Sequence, residues 1–333
     1  MSGFPMNLSS LGALSLANAQ AIQGYVQSMG YGMTGTVYYL DPVNGNDTNP
    51  GTSPSQAVAS LAQGYALLTS GNNDVLVLVS NGATSSTARL TAGFTWAKSA
   101  AHLIGVSSGV NISNRSRIAP TTSATAFANL FTVSGSGCLF SNIEWFHGFG
   151  TGVAAEIALT VSGGRNMFYN CHVGGMGDTT GATDTGSRCV LITGTGENQF
   201  VNCVIGLDTI ARTVANANVE FAGGTPRNEF RNCQFIMYAT VNTALVGITS
   251  AAAAMDRFQL FDRCTVINSI KSGSGTAIAG AFTLAAASGG LIAMRDLATI
   301  GVTSLGSDAT SKGQIYVFGA ANSTSTSIAA NPA

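Results

Sequence analysis

Charged side chains are scarce in this chain. Only 14 Lys and Arg and 15 Asp and Glu occur among 333 residues, so 9% of the chain is charged and its net charge is -1. An average soluble domain has roughly 25% charged residues. A protein that neutralises many phosphates needs a strongly basic surface. We therefore expect no nucleic-acid partner.

Long apolar runs and metal-binding cysteine pairs are also lacking. No apolar stretch reaches the ~18 residues of a membrane span, and the first residues carry no basic segment of the kind that opens a secretory signal. The six cysteines form no C-x-x-C pair, and no His stands at zinc spacing from them. We expect no membrane partner, no metal and no cofactor, and synthesis in a bacterial cytoplasm.

Apolar residues and glycine are abundant. Apolar residues make up 45% of the chain, mean hydropathy is +0.28, and 41 Gly accompany 7 Pro. This composition can bury enough apolar surface to offset the entropy lost on ordering, so the chain is expected to fold. The glycines indicate many tight turns between short strands.

One sequence unit, N-x-F-x-N-C-x-V, recurs along the chain. It reads NMFYNCHV from Asn166, NQFVNCVI from Asn198 and NEFRNCQF from Asn228, with degenerate copies from Cys138, Gln259 and Ile292. Successive copies lie 28 to 33 residues apart. A repeat of this length is typical of solenoids, in which each coil buries its apolar face against the next.

Strand alternation places the Phe of each unit in the interior. The following Asn tolerates a left-handed backbone, and a bend there returns the next residue, Cys, to the interior as a small hydrophobe. These columns form a predicted structural ladder: Phe168, Phe200, Phe230 and Phe261; Cys171, Cys203, Cys233 and Cys264; Asn142, Asn170, Asn202 and Asn232.

An apolar strand also precedes each unit, so each coil supplies two or three short strands. We predict an all-β protein, a right-handed parallel β-helix (β-solenoid) of seven to nine coils with a short N-terminal helix and a capping helix. Residues 1–36 would form an anchoring helix and linker. Residues 37–310 would form the β-helix, with the capping helix at 56–68 over its open end. A C-terminal strand and a Ser/Ala/Asn-rich tail would occupy residues 311–333.

Two stretches carry a resemblance to a known family. YYLDPVNGNDTNPGTSPSQAVASLAQGYALL followed by DVLVLVS, together with the Asn-Cys coils, resembles the pectate-lyase-like β-helices of tailed-bacteriophage virion proteins over roughly residues 37–300. The chain as a whole, including its ending GQIYVFGAANSTSTSIAANPA, is most similar to small β-helix proteins found among phage head components. That family includes glycan-cleaving tailspikes, non-catalytic fibres and capsid decoration proteins. The resemblance implies location in the virion, a homotrimer, and capsid or other virion proteins as partners.

The first 30 residues carry an uncharged helical stripe formed by Leu8, Leu11, Leu14, Ile22, Tyr25 and Val26. We predict that these six residues bind a partner. The alternatives are packing on the end of the solenoid itself, or docking on a virion component or sister subunit.

Few residues offer chemistry. Glu144 and His172 share an outward column and would form an acid/base pair or, more simply, a surface ion pair. His147 and Asp178 lie in Gly-rich loops. These loops are either plain turns or a site that binds or cleaves a glycan. Arg231, Asp262 and Arg295 alternate in sign along one outward column, which predicts a charge ladder that sets register.

The loop from Asp41 to Asp47 has calcium-like oxygen ligands, but it lacks the terminal Glu of an EF-hand, which favours a plain turn. From these observations we expect no catalytic site and a non-enzymatic virion protein. It would be a capsid decoration protein that joins the particle through its N-terminal segment. The alternative is a tailspike or tail fibre that binds, and in some cases cleaves, host surface glycan.

Overall fold

The computed structural model describes residues 16–32, 35–107, 112–122, 125–241, 246–269, 275–286 and 289–318. The predicted partner-binding residues Leu8, Leu11 and Leu14 lie outside this part of the chain. The described helices are α1 Leu16–Ser28, α2 Leu61–Leu67, α3 Thr179–Ala182 and α4 Ala309–Lys312, with 3-10 turns at Pro54–Gln56 and Thr84–Ser86. None of these helices is long and apolar enough to cross a membrane.

Short strands make up the rest of the regular structure. In chain order they are β1 Val37–Leu40, β2 Asp74–Val79, β3 Ala88–Leu90, β4 Phe94–Trp96, β5 Ala101–Val106, β6 Arg117–Pro120, β7 Asn129–Val133, β8 Leu139–Ser141, β9 Glu144–Phe146, β10 Ile157–Val161, β11 Met167–Tyr169, β12 His172–Gly174, β13 Arg188–Thr193 and β14 Gln199–Val201. The second half comprises β15 Val204–Gly206, β16 Ala217–Ala222, β17 Thr225–Pro226, β18 Glu229–Arg231, β19 Gln234–Met237, β20 Val246–Ser250, β21 Met255–Asp262, β22 Thr265–Asn268, β23 Ile278–Leu284, β24 Gly290–Arg295, β25 Ala298–Ile300, β26 Val302–Gly306 and β27 Ile315–Val317.

The strands stack into three parallel sheets. Sheet A has the order β1-β2-β5-β8-β11-β14-β18-β21-β24-β27, sheet B runs from β3 to β25, and sheet C runs from β4 to β26. Each coil from β2 to β26 contributes one strand to each sheet, while β1 and β27 extend sheet A alone, so the chain winds as a right-handed parallel β-helix of about seven turns. The predicted fold class is confirmed.

The Phe and Cys columns lie in single buried files. Phe168, Phe200, Phe230 and Phe261 occupy equivalent register positions on sheet A, and neighbouring rings stack with centroids 4.5 to 4.8 Å apart. The Cys171, Cys203, Cys233 and Cys264 thiols donate to the Phe carbonyl of the preceding coil at 3.3 to 3.4 Å. The interior is therefore built from layers that repeat in register.

The bend between sheets A and B has the backbone that the Asn column favours. Asn142, Asn170, Asn202 and Asn232 all have φ between 52° and 55°, the left-handed region that Asn tolerates better than most residues. The Nδ2 of Asn170 also donates to Oδ1 of Asn142 at 2.5 Å. The column continues with non-Asn residues in the same conformation, Arg263 and Asp296.

A second polar ladder lies inside the solenoid. The side chains of Asn166, Asn198, Asn228 and Gln259 are buried. Each accepts from a backbone N–H of the coil before it, as Asn228 Oδ1 does from Asn198 N at 3.1 Å. These amides satisfy backbone donors at the turn that enters sheet A, where an unpaired N–H would be costly.

The cap over the first coil is shorter than the predicted 56–68 helix. α2 begins after Ser60, whose side chain accepts from Gln63 N, and residues 57–60 stay extended because Val58 pairs with Leu40. Leu61 is buried in the core. Gly64 lies so close to Leu76 that an added Cβ would meet it at 2.8 Å, so α2 covers the interior of the first coil.

α1 packs on the outer face of sheet A. Ile22 and Val26 are buried against β1, β2 and β5, and the Tyr25 hydroxyl is 2.8 Å from Ser141 Oγ. Ile22, Tyr25 and Val26, predicted as partner-binding, thus contact the chain's own sheet. Their contacts are with the side of the solenoid and not with its end.

The C-terminal strand belongs to the solenoid. β27 pairs with β24 as a further strand of sheet A, and α4 precedes it. The predicted boundary at residue 310 therefore lies within α4 and separates β27 from the sheet to which it belongs. The sequence did not place this strand in the solenoid because the last coil lacks the Asn-Cys unit that marks the others.

Candidate functional site

Glu144 and His172 are neighbours, as their shared column predicts, but they are not at the surface. His172 is paired with Glu144 in register, and both side chains are at most 1% exposed. Glu144 binds Arg117 Nε at 2.7 Å. His172 accepts from Ser113 N at 3.1 Å through Nδ1, and its Nε2 lies 3.0 Å from the Gly206 carbonyl. Both ring nitrogens are thus engaged by backbone groups, and the cluster holds a loop on sheet B.

His147 has a partner that the sequence did not indicate. Its Nδ1 is 2.6 Å from Oε1 of Glu156, and both side chains are fully buried. Burial raises the pKa of Glu156 to about 7, and the hydrogen bond from His147 opposes this rise. Asp178 instead caps α3 through Gly181 N and accepts from Phe149 N. The His147–Glu156 pair is fully buried, so a polymer has no access to it.

The loop from Asp41 to Asp47 uses its carboxylates as turn acceptors. Asp41 accepts from the backbone of Val43 and Asn44, and Asp47 accepts from Ala59 and Ser60. Within the described ranges, no group of three or more His, Cys, Asp or Glu side chains is arranged to hold a metal ion. The plain turn accounts for these contacts.

An open cleft lies on the outer face of sheet A, beyond the part that α1 covers. Its volume is about 380 Å³, and it is lined by Arg231, Leu260, Asp262, Arg263, Arg295 and Phe318. Arg231, Asp262 and Arg295 occupy one register position on β18, β21 and β24. Arg263 stands at the left-handed bend after β21. We name these six residues the arginine cleft.

The carboxylate of Asp262 is the electrostatic centre of the cleft. It accepts from Arg295 Nε at 2.7 Å and from Arg295 Nη2 at 2.5 Å, and Arg263 lies 3.6 Å away. The hydrogen bond from Arg295 is the main cause that lowers the pKa of Asp262. Asp262 is therefore ionised at neutral pH, although only 5% of its side chain is exposed.

The predicted charge ladder forms only in part. Asp262 pairs with Arg295, but Arg231 turns to Glu229 of its own strand at 2.6 Å. Arg231, Arg263 and Arg295 remain 44 to 57% exposed at the side chain. Three arginines therefore lie around the cleft carboxylate, with Glu229 beside Arg231 and Asp296 next to Arg295, so the positive and negative charges in and around the cleft balance.

An aromatic ring borders the cleft. Phe318 follows β27 and is 60% exposed, so its ring is accessible to a ligand in the cleft. Sequence reasoning noted the charged column but missed the cleft. The available signal was that Phe318 directly follows the strand Ile315–Val317 and so borders the same outward face.

No known family model matches this chain, and no curated protein is recognisably similar in sequence. Solved structures do match its fold. The pectin methylesterase of Aspergillus niger aligns over 87% of this chain and 93% of its own, with a TM-score of 0.50 and 12% identity. The pectin methylesterase PemA of Erwinia chrysanthemi aligns over 84% and 68%, with a TM-score of 0.42 and 12% identity.

A bacteriophage protein is also among the matches. Tailspike protein 2 of the Escherichia coli O157:H7 bacteriophage CAB120 aligns over 76% of this chain and 46% of its own, with a TM-score of 0.32 and 10% identity. The match with a TM-score of 0.50 supports the β-helix fold and nothing beyond the fold. The virion origin implied by the sequence resemblance stays a proposal.

The expectation of a non-enzymatic protein is contradicted by the first of these matches. The structure that shares the fold over most of both chains, at a TM-score of 0.50, is a pectin methylesterase, which is an enzyme. The expectation rested on the lack of paired acids in the outward columns. That argument addresses glycoside hydrolysis, which needs two carboxyls, and it does not address reactions that need one.

Proposed function

We propose that this chain is a carbohydrate-active β-helix protein that binds a polysaccharide in the arginine cleft. The observation that carries the proposal is the cleft itself. It joins an exposed aromatic ring, three arginines and an ionised carboxylate on the outer face of sheet A, beyond the N-terminal strands that α1 covers. Ligand sites combine apolar surface with a few fixed polar groups in this way.

The chemistry of sugars suits these groups. A pyranose ring has an apolar C–H face that packs on an aromatic side chain, while its hydroxyls need donors and acceptors at its edge. Phe318 offers the apolar surface. Arg231, Arg263 and Asp262 offer donors and an acceptor. The strands hold these side chains at fixed separations, which lowers the entropic cost of binding.

The cleft favours a reaction at a substituent over cleavage of the chain. Glycoside hydrolysis uses two carboxyls about 5 to 9.5 Å apart, whereas Asp262 is the one carboxylate among the lining residues. An ionised carboxylate can take a proton from a water that attacks an ester carbonyl, and a guanidinium can stabilise the oxyanion that forms. When the ester C–O bond breaks, the carboxyl returns that proton to the leaving alkoxide, which departs as an alcohol. Hydrolysis of a carboxylic ester on the polysaccharide is the reaction class that fits these groups.

Binding and ester hydrolysis are tested together. We expect the protein to bind methyl-esterified pectin and to release methanol from it. Asp262→Asn should bind and lose the release, and Phe318→Ala should weaken binding. The matched control is Asp256→Asn, because Asp256 is 53% exposed and does not line the cleft. Absence of polysaccharide binding across acidic and neutral polymers, or full methanol release by Asp262→Asn, would contradict the proposal.

We also propose that the protein is a component of a phage virion, as a homotrimer. The support is the sequence resemblance of residues 37–300 and of the chain's ending. Quantitative mass spectrometry of purified particles gives the copy number, which is hundreds for a capsid decoration protein and at most a few dozen for a tailspike. Absence of the chain from particles would refute this location.

A further inference from the structure

We propose that the cysteine file, formed by Cys171, Cys203, Cys233 and Cys264, binds soft divalent metal ions of the mercuric class, each between two thiolates of adjacent coils. All four cysteines are free, and each is at most 1% exposed. The file lies inside the solenoid, whereas the arginine cleft lies on the outer face of sheet A. This site is therefore independent of the proposed polysaccharide site.

The four thiols repeat at the spacing of the coils. Each Sγ lies 3.3 to 3.4 Å from the carbonyl oxygen of a Phe one coil earlier. Each also lies 3.4 to 3.5 Å from the carbonyl oxygen two residues before it in its own coil. Because every thiol has the same two contacts, the side chains share one orientation, and neighbouring sulfur atoms are separated by one coil, about 4.8 Å.

This separation matches a linear sulfur–metal–sulfur unit. The bond from a d10 ion such as zinc to a thiolate is about 2.3 Å long, so two collinear bonds of that length span about 4.6 Å. The ion lies on the line between two sulfur atoms and needs no separate cavity in the packed core. A disulfide bond of about 2.05 Å is less than half the coil spacing, so the same arrangement opposes oxidation of neighbouring thiols.

The surroundings of the file select the ion by its charge and its coordination. The file ends in apolar side chains, with Ile143 one coil before Cys171 and Leu297 one coil after Cys264. A net charge in such a core is costly. Two thiolates neutralise a divalent ion, whereas a monovalent ion between them leaves a negative charge. Zinc requires four ligands, but the mercuric ion is soft and binds two collinear thiolates.

Binding exchanges protons for the metal. Each thiol of a pair releases its proton to solvent and forms one sulfur–metal bond, so two protons leave for each divalent ion and the charge of the protein is unchanged. The intact file holds two ions when Cys171 pairs with Cys203 and Cys233 pairs with Cys264, because each thiolate is then used once.

The other two cysteines lie outside the file and are removed before the test. The Sγ of Cys138 contacts the Lys98 carbonyl, and the Sγ of Cys189 contacts the Gly175 carbonyl. The parent protein for the experiment therefore carries Cys138→Ser and Cys189→Ser, which leaves the four thiols of the file.

Two variants of this parent retain the same number of thiols at different spacings. Cys233→Ser with Cys264→Ser leaves the adjacent pair Cys171 and Cys203. Cys203→Ser with Cys264→Ser is the matched control, since it leaves Cys171 and Cys233 two coils apart, about 9.6 Å. Each protein is incubated with mercuric chloride and excess 2-mercaptoethanol, both folded and during refolding from urea, and native mass spectrometry counts the bound ions.

The mass of the complex identifies the ligands of the ion. We expect the adjacent pair to bind one ion without mercaptoethanol, because the protein supplies both thiolates. The separated pair should bind ions only as mixed complexes that carry mercaptoethanol. Chelation should raise the occupancy of the mercaptoethanol-free complex by about tenfold or more in the adjacent pair.

Three results would overturn the site: mixed complexes alone in the adjacent pair, equal occupancy of the mercaptoethanol-free complex in both variants, and no bound ion in either preparation. Circular dichroism checks that both variants are folded. If either is not, the parent decides, since two ions without mercaptoethanol support the paired file and four mixed complexes contradict it.

Discussion

Replacing Phe200 by Ala should destabilise the solenoid more than any surface change on the same sheet. The ring is fully buried and stacks at 4.5 Å on Phe168 and at 4.8 Å on Phe230, with interplanar angles of 7° and 9°. Removing a buried Phe costs about 3 to 5 kcal/mol, and aromatic pairs contribute about 0.5 to 1.5 kcal/mol each beyond area. Because Phe200 has a stacked partner on both sides, we expect the upper end, about 4 to 5 kcal/mol.

Urea denaturation followed by circular dichroism measures this loss. Phe258→Ala is the control, since Phe258 is 37% exposed and lies on β21 outside the file. It should cost less than about 1.5 kcal/mol, because a partly exposed ring buries less area. Coils of a solenoid interact mainly with their neighbours, so the double variant Phe200→Leu and Phe230→Leu should show coupling. A Phe200→Ala midpoint equal to that of Phe258→Ala would refute the continuous aromatic file.

Three further outcomes follow from buried contacts. Burial raises the pKa of Glu156 to about 7 against ~4.3 in an unfolded chain, so its contribution to stability is complete below about pH 4 and is lost as pH rises through 7. The melting temperature of the protein should therefore decline from pH 5 to 8, and that of Glu156→Gln should not. An equal decline in both proteins would count against a buried neutral carboxyl. Gly181→Ala should cost about 1 to 3 kcal/mol of stability in the same assay, because the added Cβ would meet Glu156 Oε2 at 1.7 Å. Gly24→Ala is the control, since a Cβ at Gly24 has open space, and equal melting temperatures of the two variants would be inconsistent with the contact at Gly181. Val26→Asp should release α1 while the sheets persist, because it buries a charge against sheet A. Hydrogen exchange should then be fast only for the amides of residues 16–28, and Gln27→Asp, at an exposed position of the same helix, is the control. Protected α1 amides in Val26→Asp would argue against the docking of α1 on sheet A.

The repeat made the fold predictable from the sequence. A parallel stack requires similar residues at equivalent positions in every coil, so Phe168, Phe200 and Phe230 had to recur at a near-constant interval. The Asn column was equally informative, because few residues other than Gly adopt φ near +55° at low cost. Both signals are local to one coil and are repeated by its neighbours.

The sites depended on contacts that no repeat encodes. The stripe through Ile22 and Val26 showed that α1 had an apolar face, but an apolar face does not specify which surface covers it. Glu144 and His172 pointed away from the interior as predicted, and they are buried because a loop through Ser113 folds over them. The arginine cleft required Phe318, which follows a coil without the Asn-Cys unit, to be placed beside residues 23 to 87 positions earlier.

A crystal structure of the protein with an oligosaccharide of methyl-esterified pectin would test the central claim most directly. We expect the oligosaccharide in the arginine cleft on sheet A, with an ester group at Asp262 and a sugar face on Phe318. An oligosaccharide bound over sheet B, or against the loops around His147 and Asp178, would contradict the proposed site.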